Sequence, residues 1–242
     1  MPAAAAAQAR ADGGNQVRAL LKPRAEATIS GEIAARIVSM PFRDGQAFKA
    51  GEVLVGFDCA LYRATADRAA AALQGTEKKL DNDRRLAAGI AIGKLEVELS
   101  EAEVAKARAE LRGARVQTDR CAIRAPFAGR VVAVRAHAHE FVSPGKELLD
   151  IVDDGPLEVE VIVPSSWLVW LKPGLRFELV VDETGSRLEV PVTKLGARVD
   201  AVSQTVKAWG AIPSGAIPSG AIQGPSAALL AGMSGTATFA VP

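Results

Sequence analysis

The chain's two histidines and two cysteines are the side chains whose spacing suggests specific chemistry. His137 and His139 are separated by one residue, so on a β-strand they would lie on one face within reach of a single metal ion. Glu140 is the nearest candidate for a third ligand, and no Cys or Met cluster accompanies the pair. A solvated loop is therefore the favoured interpretation, and the two histidines are only weak candidates for a metal site.

Cys59 and Cys121 lie directly outside the two ends of a segment with a helical pattern. If two helices fold back on each other there, their ends meet and the thiols come within disulfide range. Such a bond would close a loop of about 60 residues, contribute about 4 kcal/mol to stability, and indicate an oxidising compartment. Two buried free thiols are the other interpretation, and both stay open.

No other spacing in the sequence specifies catalysis or cofactor binding. A phosphate-binding Gly loop and a nucleophile triad are both missing from the sequence, so we predict neither an enzyme nor a cofactor. Lys plus Arg total 29 and Asp plus Glu total 28, so the net charge gives no general attraction to nucleic acid. Aromatic residues make up 5% of the chain, which is few for a surface that stacks bases.

Two copies of one short β pattern flank the helical segment and must position the cysteines. Arg36-Ile37-Val38 corresponds to Arg130-Val131-Val132, and the same shift of 94 residues carries Ala50-Gly51 onto Pro144-Gly145. The predicted strands are short and are separated by turn residues. The predicted turn glycines are Gly31, Gly45, Gly51, Gly129 and Gly145.

These halves predict one small β domain split by an insertion, within an elongated α+β protein of several domains. We expect residues 24–58 and 122–153 to close into a single flattened barrel, with residues 59–121 leaving and returning at one point. Residues 1–23 are predicted to be a tail and lead-in. From Leu157 onward, apolar and polar residues alternate with period two, which predicts a small antiparallel β-barrel in residues 154–242.

Within residues 59–121, apolar or small residues recur every seven positions, which is typical of the narrow seam of a coiled coil. We therefore expect an antiparallel pair of helices that projects as an arm. The seam residues are Ala66, Leu73, Leu80 and Ala87 in the first helix, and Val97, Ser100, Val104, Ala107, Leu111 and Ala114 in the second. The predicted partner contact at the tip comprises Arg84, Arg85, Leu86, Gly89, Ile90, Ile92 and Gly93.

Two segments lack the patterns of regular structure. Residues 1–16 are small and polar and lack the basic start and apolar centre of a signal peptide. Either export depends on a segment outside this chain, or the protein stays inside the cell. The pentapeptide GAIPS is repeated from Gly210, and a Pro in every fifth position predicts a long loop.

Five segments of the sequence have the pattern of a known family, namely ISGEIAARIVSMPFRDGQAFKAGEVLVGFD, CAIRAPFAGRVVAV, VSPGKELLDIVD, GARVDAVSQTV and LLAGMSGTATF. Through these segments the chain resembles the HlyD-like membrane fusion proteins, the periplasmic adaptor subunits of bacterial efflux and secretion systems. The resemblance covers nearly all of the chain after about Arg18 and implies a split lipoyl- or biotinyl-like β domain around the helical arm. It implies an inner-membrane transporter and an outer-membrane channel as partners, a homo-oligomer, and a periplasmic location at the inner membrane.

The sequence departs from the family pattern at the predicted tip. In efflux adaptors of this family an Arg, a Leu four residues later and a Ser seven residues after that mark the tip, whereas the corresponding residues here are Asn82, Leu86 and Gly93. Two alternatives are a biotinyl or lipoyl carrier and a stand-alone oligomeric scaffold. A carrier presents a modifiable Lys in a specific turn motif, and Lys49 and Lys146 flank Gly instead of lying in such a motif.

Overall fold

The structure, a computed structural model, describes residues 15–212 and 229–240. It divides into two compact units. The second unit is Ala27–Val152, and the first unit is formed by the chain on either side of that stretch. In chain order the elements are β1 (Gln16–Lys22), β2 (Glu26–Ser30), β3 (Ala35–Ser39), β4 (Ala47–Phe48), β5 (Val53–Phe57), α1 (Ala60–Ala88), α2 (Lys94–Asp119), β6 (Ala122–Arg124), β7 (Gly129–Val134), β8 (Phe141–Val142), β9 (Glu147–Asp153), β10 (Glu158–Pro164), a 3₁₀ helix (Ser165–Val169), β11 (Arg176–Val181), β12 (Arg187–Asp200), β13 (Thr205–Ala211) and β14 (Ser234–Phe239).

Six antiparallel strands close into a barrel in the order β1, β10, β13, β12, β11 and β14. The alternation in β10 explains its orientation, because Val159, Val161 and Val163 are buried while Glu158 and Glu160 lie on the outer face. The prediction of a small antiparallel barrel is confirmed. The GAIPS repeat lies largely outside the described residues, but its first glycine, Gly210, belongs to β13.

The predicted tail and lead-in, residues 1–23, is wrong for Gln16–Lys22, because this segment is the barrel strand β1 between β10 and β14. The alternation in β1 is short, and Leu20, on the outward face between the buried Ala19 and Leu21, interrupts it. The local pattern was therefore weak, and the strand depends on pairing with residues far away in the sequence. Residues 1–14 lie outside the described part of the chain.

The second unit contains two four-stranded sheets instead of the single flattened barrel that was predicted. One sheet has the order β2, β9, β7, β4 and the other has the order β6, β5, β3, β8. Each sheet therefore contains strands from both sequence halves. The two sheets share one core, whose fully buried residues include Ile37, Leu54, Val55, Leu148 and Leu149.

The repeat of 94 residues is also present in the backbone hydrogen bonds. Four bonds from the first half to the second have counterparts in the reverse direction, with N···O distances of 2.8 to 3.0 Å. The paired bonds are Gly45 N to Val131 O with His139 N to Ile37 O, Gly51 N to Ala125 O with Gly145 N to Gly31 O, Ala125 N to Glu52 O with Gly31 N to Lys146 O, and Val131 N to Gln46 O with Ile37 N to Glu140 O. The two halves are thus interlocked copies of one motif.

The predicted turn glycines divide into two groups. Gly45, Gly51 and Gly145 have φ values of 78°, 81° and 86°, the left-handed region that favours glycine. Gly31 lies in the connection between β2 and β3 without a positive φ, and its role as a turn residue stays a prediction. The prediction for Gly129 is wrong, because this residue is the first of β7 and pairs with Phe48 of β4.

One polar cluster connects adjacent strands of the second unit. Asp150 on β9 accepts hydrogen bonds from Arg135 Nε and Thr28 Oγ1, each at 2.8 Å. The hydrogen bonds from Arg135 and Thr28 lower the pKa of the Asp150 carboxyl below its ordinary value, and burial opposes them. Asp150 is therefore held in its charged form.

Candidate docking site at the end of the helix pair

Helices α1 and α2 pack along each other, and their buried residues belong mainly to the predicted seven-residue seam. Leu80 is buried in α1, and Ser100, Val104, Ala107 and Leu111 are buried in α2. The two helices begin and end beside the sheets, where Phe57 N donates to Cys121 O at 2.9 Å and Tyr62 Oη donates to Ala34 O at 3.2 Å. The opposite end of the helix pair is a short connection, residues 89–93.

The structure places a disulfide between Cys59 and Cys121 where the helices meet the sheets. Their Cα atoms are 6.0 Å apart, and both residues are buried in the core of the second unit. The bond therefore joins the start of the helical segment to its end. The sequence left open whether these cysteines form a disulfide or stay free thiols, and the structure has the disulfide.

The connection at the far end contains a backbone conformation that its sequence does not favour. Ile90 has φ 59°, which is in the left-handed region. The neighbouring Gly89 has φ −84°, a conformation that any residue can adopt. This conformation costs a non-glycine residue about 1–2 kcal/mol. Two backbone hydrogen bonds close the end of α1 around this residue, Ile90 N to Ala87 O at 3.0 Å and Ala91 N to Leu86 O at 2.9 Å. The Ile90 side chain is 93% exposed, so its own packing within the described chain does not offset the cost. A strained and exposed aliphatic side chain is the strongest indication of a contact site among the predicted tip residues.

Two further leucines extend the exposed apolar surface. Leu95 and Leu99 are one helical turn apart near the start of α2 and are 68% and 53% exposed. Leu86, near the end of α1, is also exposed, and Ile92 is half-buried. The sequence interpretation missed Leu95 and Leu99 because both lie outside the seven-residue seam. Their separation of four residues on a helix was the available signal.

The predicted tip arginines both have partners within the chain. Arg84 forms an ion pair with Glu101 on the opposite helix at 2.8 Å, and Arg85 pairs with Asp81 one turn earlier at 3.0 Å. Both pairs are largely exposed, so each contributes little to stability. Their role as partner contacts stays a prediction, while the apolar residues around Ile90 form the better candidate surface.

A polar cluster interrupts the apolar seam between the connection and the middle of the helix pair. Ser100 Oγ donates to Asp83 on the facing helix and accepts a hydrogen bond from Lys79 Nζ at 3.1 Å. Lys79 also reaches Glu103 at 3.1 Å, and this hydrogen bond raises the pKa of Lys79 against the opposing effect of desolvation. Because Ser100 and Asp83 satisfy each other, the cluster favours one alignment of the two helices.

The two histidines lie in the loop between β7 and β8, and both are exposed. His139 occupies the position that Gly45 has in the other half, with φ 72°, and its backbone N–H bonds Ile37 O at 2.8 Å. The backbone N–H of His137 donates to the Glu140 carboxylate at 3.1 Å. Within residues 15–212 and 229–240, no group of three or more His, Cys, Asp or Glu side chains is placed to hold a metal ion. No described helix is long and apolar enough to cross a bilayer.

Comparison with solved structures identifies the fold. The membrane fusion protein Spr0693 from Streptococcus pneumoniae R6 matches with a TM-score of 0.72 and 16% identity, over 94% of this chain and 99% of that protein. This chain has the membrane fusion protein fold. A MacA–MexA chimera with the α-hairpin domain of Pseudomonas aeruginosa MexA matches this fold with a TM-score of 0.79 and 16% identity, over 93% of this chain and 79% of the chimera.

Sequence comparison finds distant relatives of this chain among curated proteins. No family profile matches the chain. The nodulation protein NolF of Rhizobium meliloti is 26% identical over 220 residues, which is 84% of this chain and 60% of NolF. The chain spans about half to three fifths of the length of the curated relatives it matches. The predicted resemblance to membrane fusion proteins is confirmed.

Proposed function

We propose that this protein is a noncatalytic periplasmic adaptor that links an inner-membrane transporter to an outer-membrane channel for efflux or secretion. The observation that best supports the proposal is the match to a membrane fusion protein over 94% of this chain and 99% of that protein. In this proposal the two-sheet unit is a lipoyl-like scaffold, and the helix pair is a coiled-coil hairpin that reaches the channel. The barrel engages the transporter, and several copies assemble side by side.

The end of the helix pair is the part of the protein that would meet the channel. Ile90 holds an exposed aliphatic side chain in a strained backbone conformation, and Leu95 and Leu99 add apolar surface beside it. Burial of such side chains against a partner would be favourable and would offset the cost of the strained backbone. The disulfide at the other end fixes where the helices leave the sheets.

The experiment is chemical crosslinking in the native cell envelope, followed by isolation of the tagged chain and identification of the captured proteins. The adaptor proposal predicts both a transporter and a channel protein in the wild-type sample. Ile90→Glu should remove the channel protein and retain the transporter, because a charge at the docking surface opposes burial. Leu61→Glu is the matched control, since Leu61 is 77% exposed near the opposite end of α1.

The stand-alone scaffold predicts a different outcome of the same experiment. If the captured material contains only further copies of this chain, the adaptor proposal is wrong and the scaffold is supported. Equal loss of the channel protein from the Ile90→Glu and Leu61→Glu samples would contradict the docking surface while leaving the adaptor role in place.

A further inference from the structure

One end of the barrel is closed by the 3₁₀ helix and by the turn between β12 and β13. Strands β10 and β12 end here at Pro164 and Asp200, and β13 begins here at Thr205. Ser165 N donates to Gln204 O at 2.8 Å, so the helix and the turn are directly joined. We refer to residues 165–175 and 196–205 as the capped end.

The inward side of the capped end is an aromatic plug. Trp167 and Trp170 pack against Phe239, with ring centroids 5.4 and 6.3 Å apart, and Phe239 stacks on Phe177 at 4.8 Å. Leu171 is completely enclosed beside them. These residues account for the stability of the cap without help from the side chains that face outward.

The outward side of the capped end presents aliphatic side chains to solvent. Val169 on the 3₁₀ helix is 84% exposed, and Val202 in the turn is 97% exposed. The turn does not need the Val202 side chain, because the Asp200 carboxylate accepts backbone hydrogen bonds from Val202 at 3.0 Å and Ser203 at 2.9 Å. The hydrogen bonds of Asp200 hold the turn, so the Val202 side chain is free to make a contact outside the chain.

The charges of the capped end differ from those of the rest of the barrel. Six basic residues on the barrel strands form ion pairs with N···O distances of 2.8 to 3.2 Å, namely Arg18, Lys22, Arg176, Arg187, Lys194 and Lys207. Lys172 and Arg198 lie at the capped end, and neither has an ion-pair partner among the described residues. Lys172 is three residues from Val169 in the sequence, and Arg198 is four residues from Val202. The Asp200 carboxylate at the same end is bonded to the backbone N–H groups of Val202 and Ser203, so the two cations exceed it by one charge.

We propose that the capped end binds the surface of an anionic lipid bilayer. Single aliphatic side chains on protruding turns fit the headgroup region of a bilayer, which needs no matching groove, and tryptophans are favourable at the same depth. The unpaired cations attract anionic headgroups, and each contributes about a fivefold increase in binding. This inference uses only barrel residues and does not depend on the adaptor role.

The test measures binding of the whole chain to phospholipid vesicles by flotation, with vesicles of phosphatidylcholine alone or mixed with phosphatidylglycerol. We expect binding to the anionic vesicles that weakens as salt is added. Val169→Asp with Val202→Asp should abolish binding, and Lys172→Gln with Arg198→Gln should weaken it about 25-fold. Leu61→Asp is the matched control, because it places the same charge at a comparably exposed aliphatic residue of the other unit.

Quenching of tryptophan fluorescence by a lipid-borne quencher gives an independent readout, since two of the three tryptophans lie in the cap. Quenching by anionic vesicles that the double Asp variant loses and Leu61→Asp retains would support the proposal. Absence of vesicle binding at low salt would overturn it, and so would equal loss in all variants. If vesicles do not bind but the double Asp variant loses a crosslinked envelope protein, the surface binds protein instead and the lipid proposal is wrong.

Discussion

Reduction of the Cys59–Cys121 bond should destabilise the two-sheet unit selectively. The cysteines are 62 residues apart in the sequence, and the bond closes a loop that contains both helices. In the chain-entropy description of disulfides, release of a loop of this length costs about 4 kcal/mol. That is a large share of the stability of an ordinary domain, so the effect should be easy to measure.

The structure supplies a separate probe for each unit. All described α-helix lies in Ala27–Val152, so far-ultraviolet circular dichroism follows that unit. The three tryptophans, Trp167, Trp170 and Trp209, lie in the barrel unit, so their fluorescence follows the barrel. In urea titrations of oxidised and reduced protein, we expect the dichroism transition to move to lower urea while the fluorescence transition stays in place.

The double variant Cys59→Ala, Cys121→Ala is the control for effects of the reductant, and it should behave like the reduced wild type. The bond is buried, so reduction should be carried out in denaturant and followed by refolding. Detection of two free thiols per chain in denatured, unreduced protein would refute the disulfide. An unchanged dichroism transition after reduction would refute the reasoning from loop length.

Three further predictions concern single residues. Gly45→Ala should destabilise the two-sheet unit by about 1 kcal/mol, because φ is 78° and no atom crowds the new methyl group, while His139→Gly at the equivalent turn should cost less or stabilise; urea titration by circular dichroism measures both. Ser100→Ala should lower the free energy of unfolding by about 1–3 kcal/mol, because it removes the hydroxyl that donates to the buried Asp83 carboxylate. A decrease of less than a few tenths of a kcal/mol would show that the polar cluster does not stabilise the helix pair. The depressed pKa of Asp150 implies stability that is present above the ordinary Asp pKa and is lost as pH falls through the depressed value, so Asp150→Asn should flatten the acid limb of a stability–pH curve.

The sequence predicted the features that depend on short local motifs. Gly45, Gly51 and Gly145 take the left-handed conformations that their turns require. The repeat around the helical segment was visible because each half contains its own complete turn pattern. Alternation likewise identified the barrel from β10 onward.

Features that depend on distant partners were not predictable in the same way. Strand β1 is held by β10 and β14, and its own alternation is interrupted at Leu20. The two-sheet arrangement depends on which half pairs with which, and local pattern does not determine that choice. Asp83 was missed at the candidate site, because its burial depends on Ser100 of the facing helix. Gly129 shows that glycine also occurs in a strand, so glycine alone does not locate a turn.

The most direct test of the adaptor role is site-specific photocrosslinking in intact cells, with the photoreactive residue at position 90. The side chain of Ile90 is 93% exposed at the end of the helix pair, so a docked channel must lie within reach of it. We predict an adduct between this chain and an outer-membrane protein from position 90 and no such adduct from position 61 near the base. Adducts from position 90 that contain only this chain, or no adduct at all, would contradict the adaptor account.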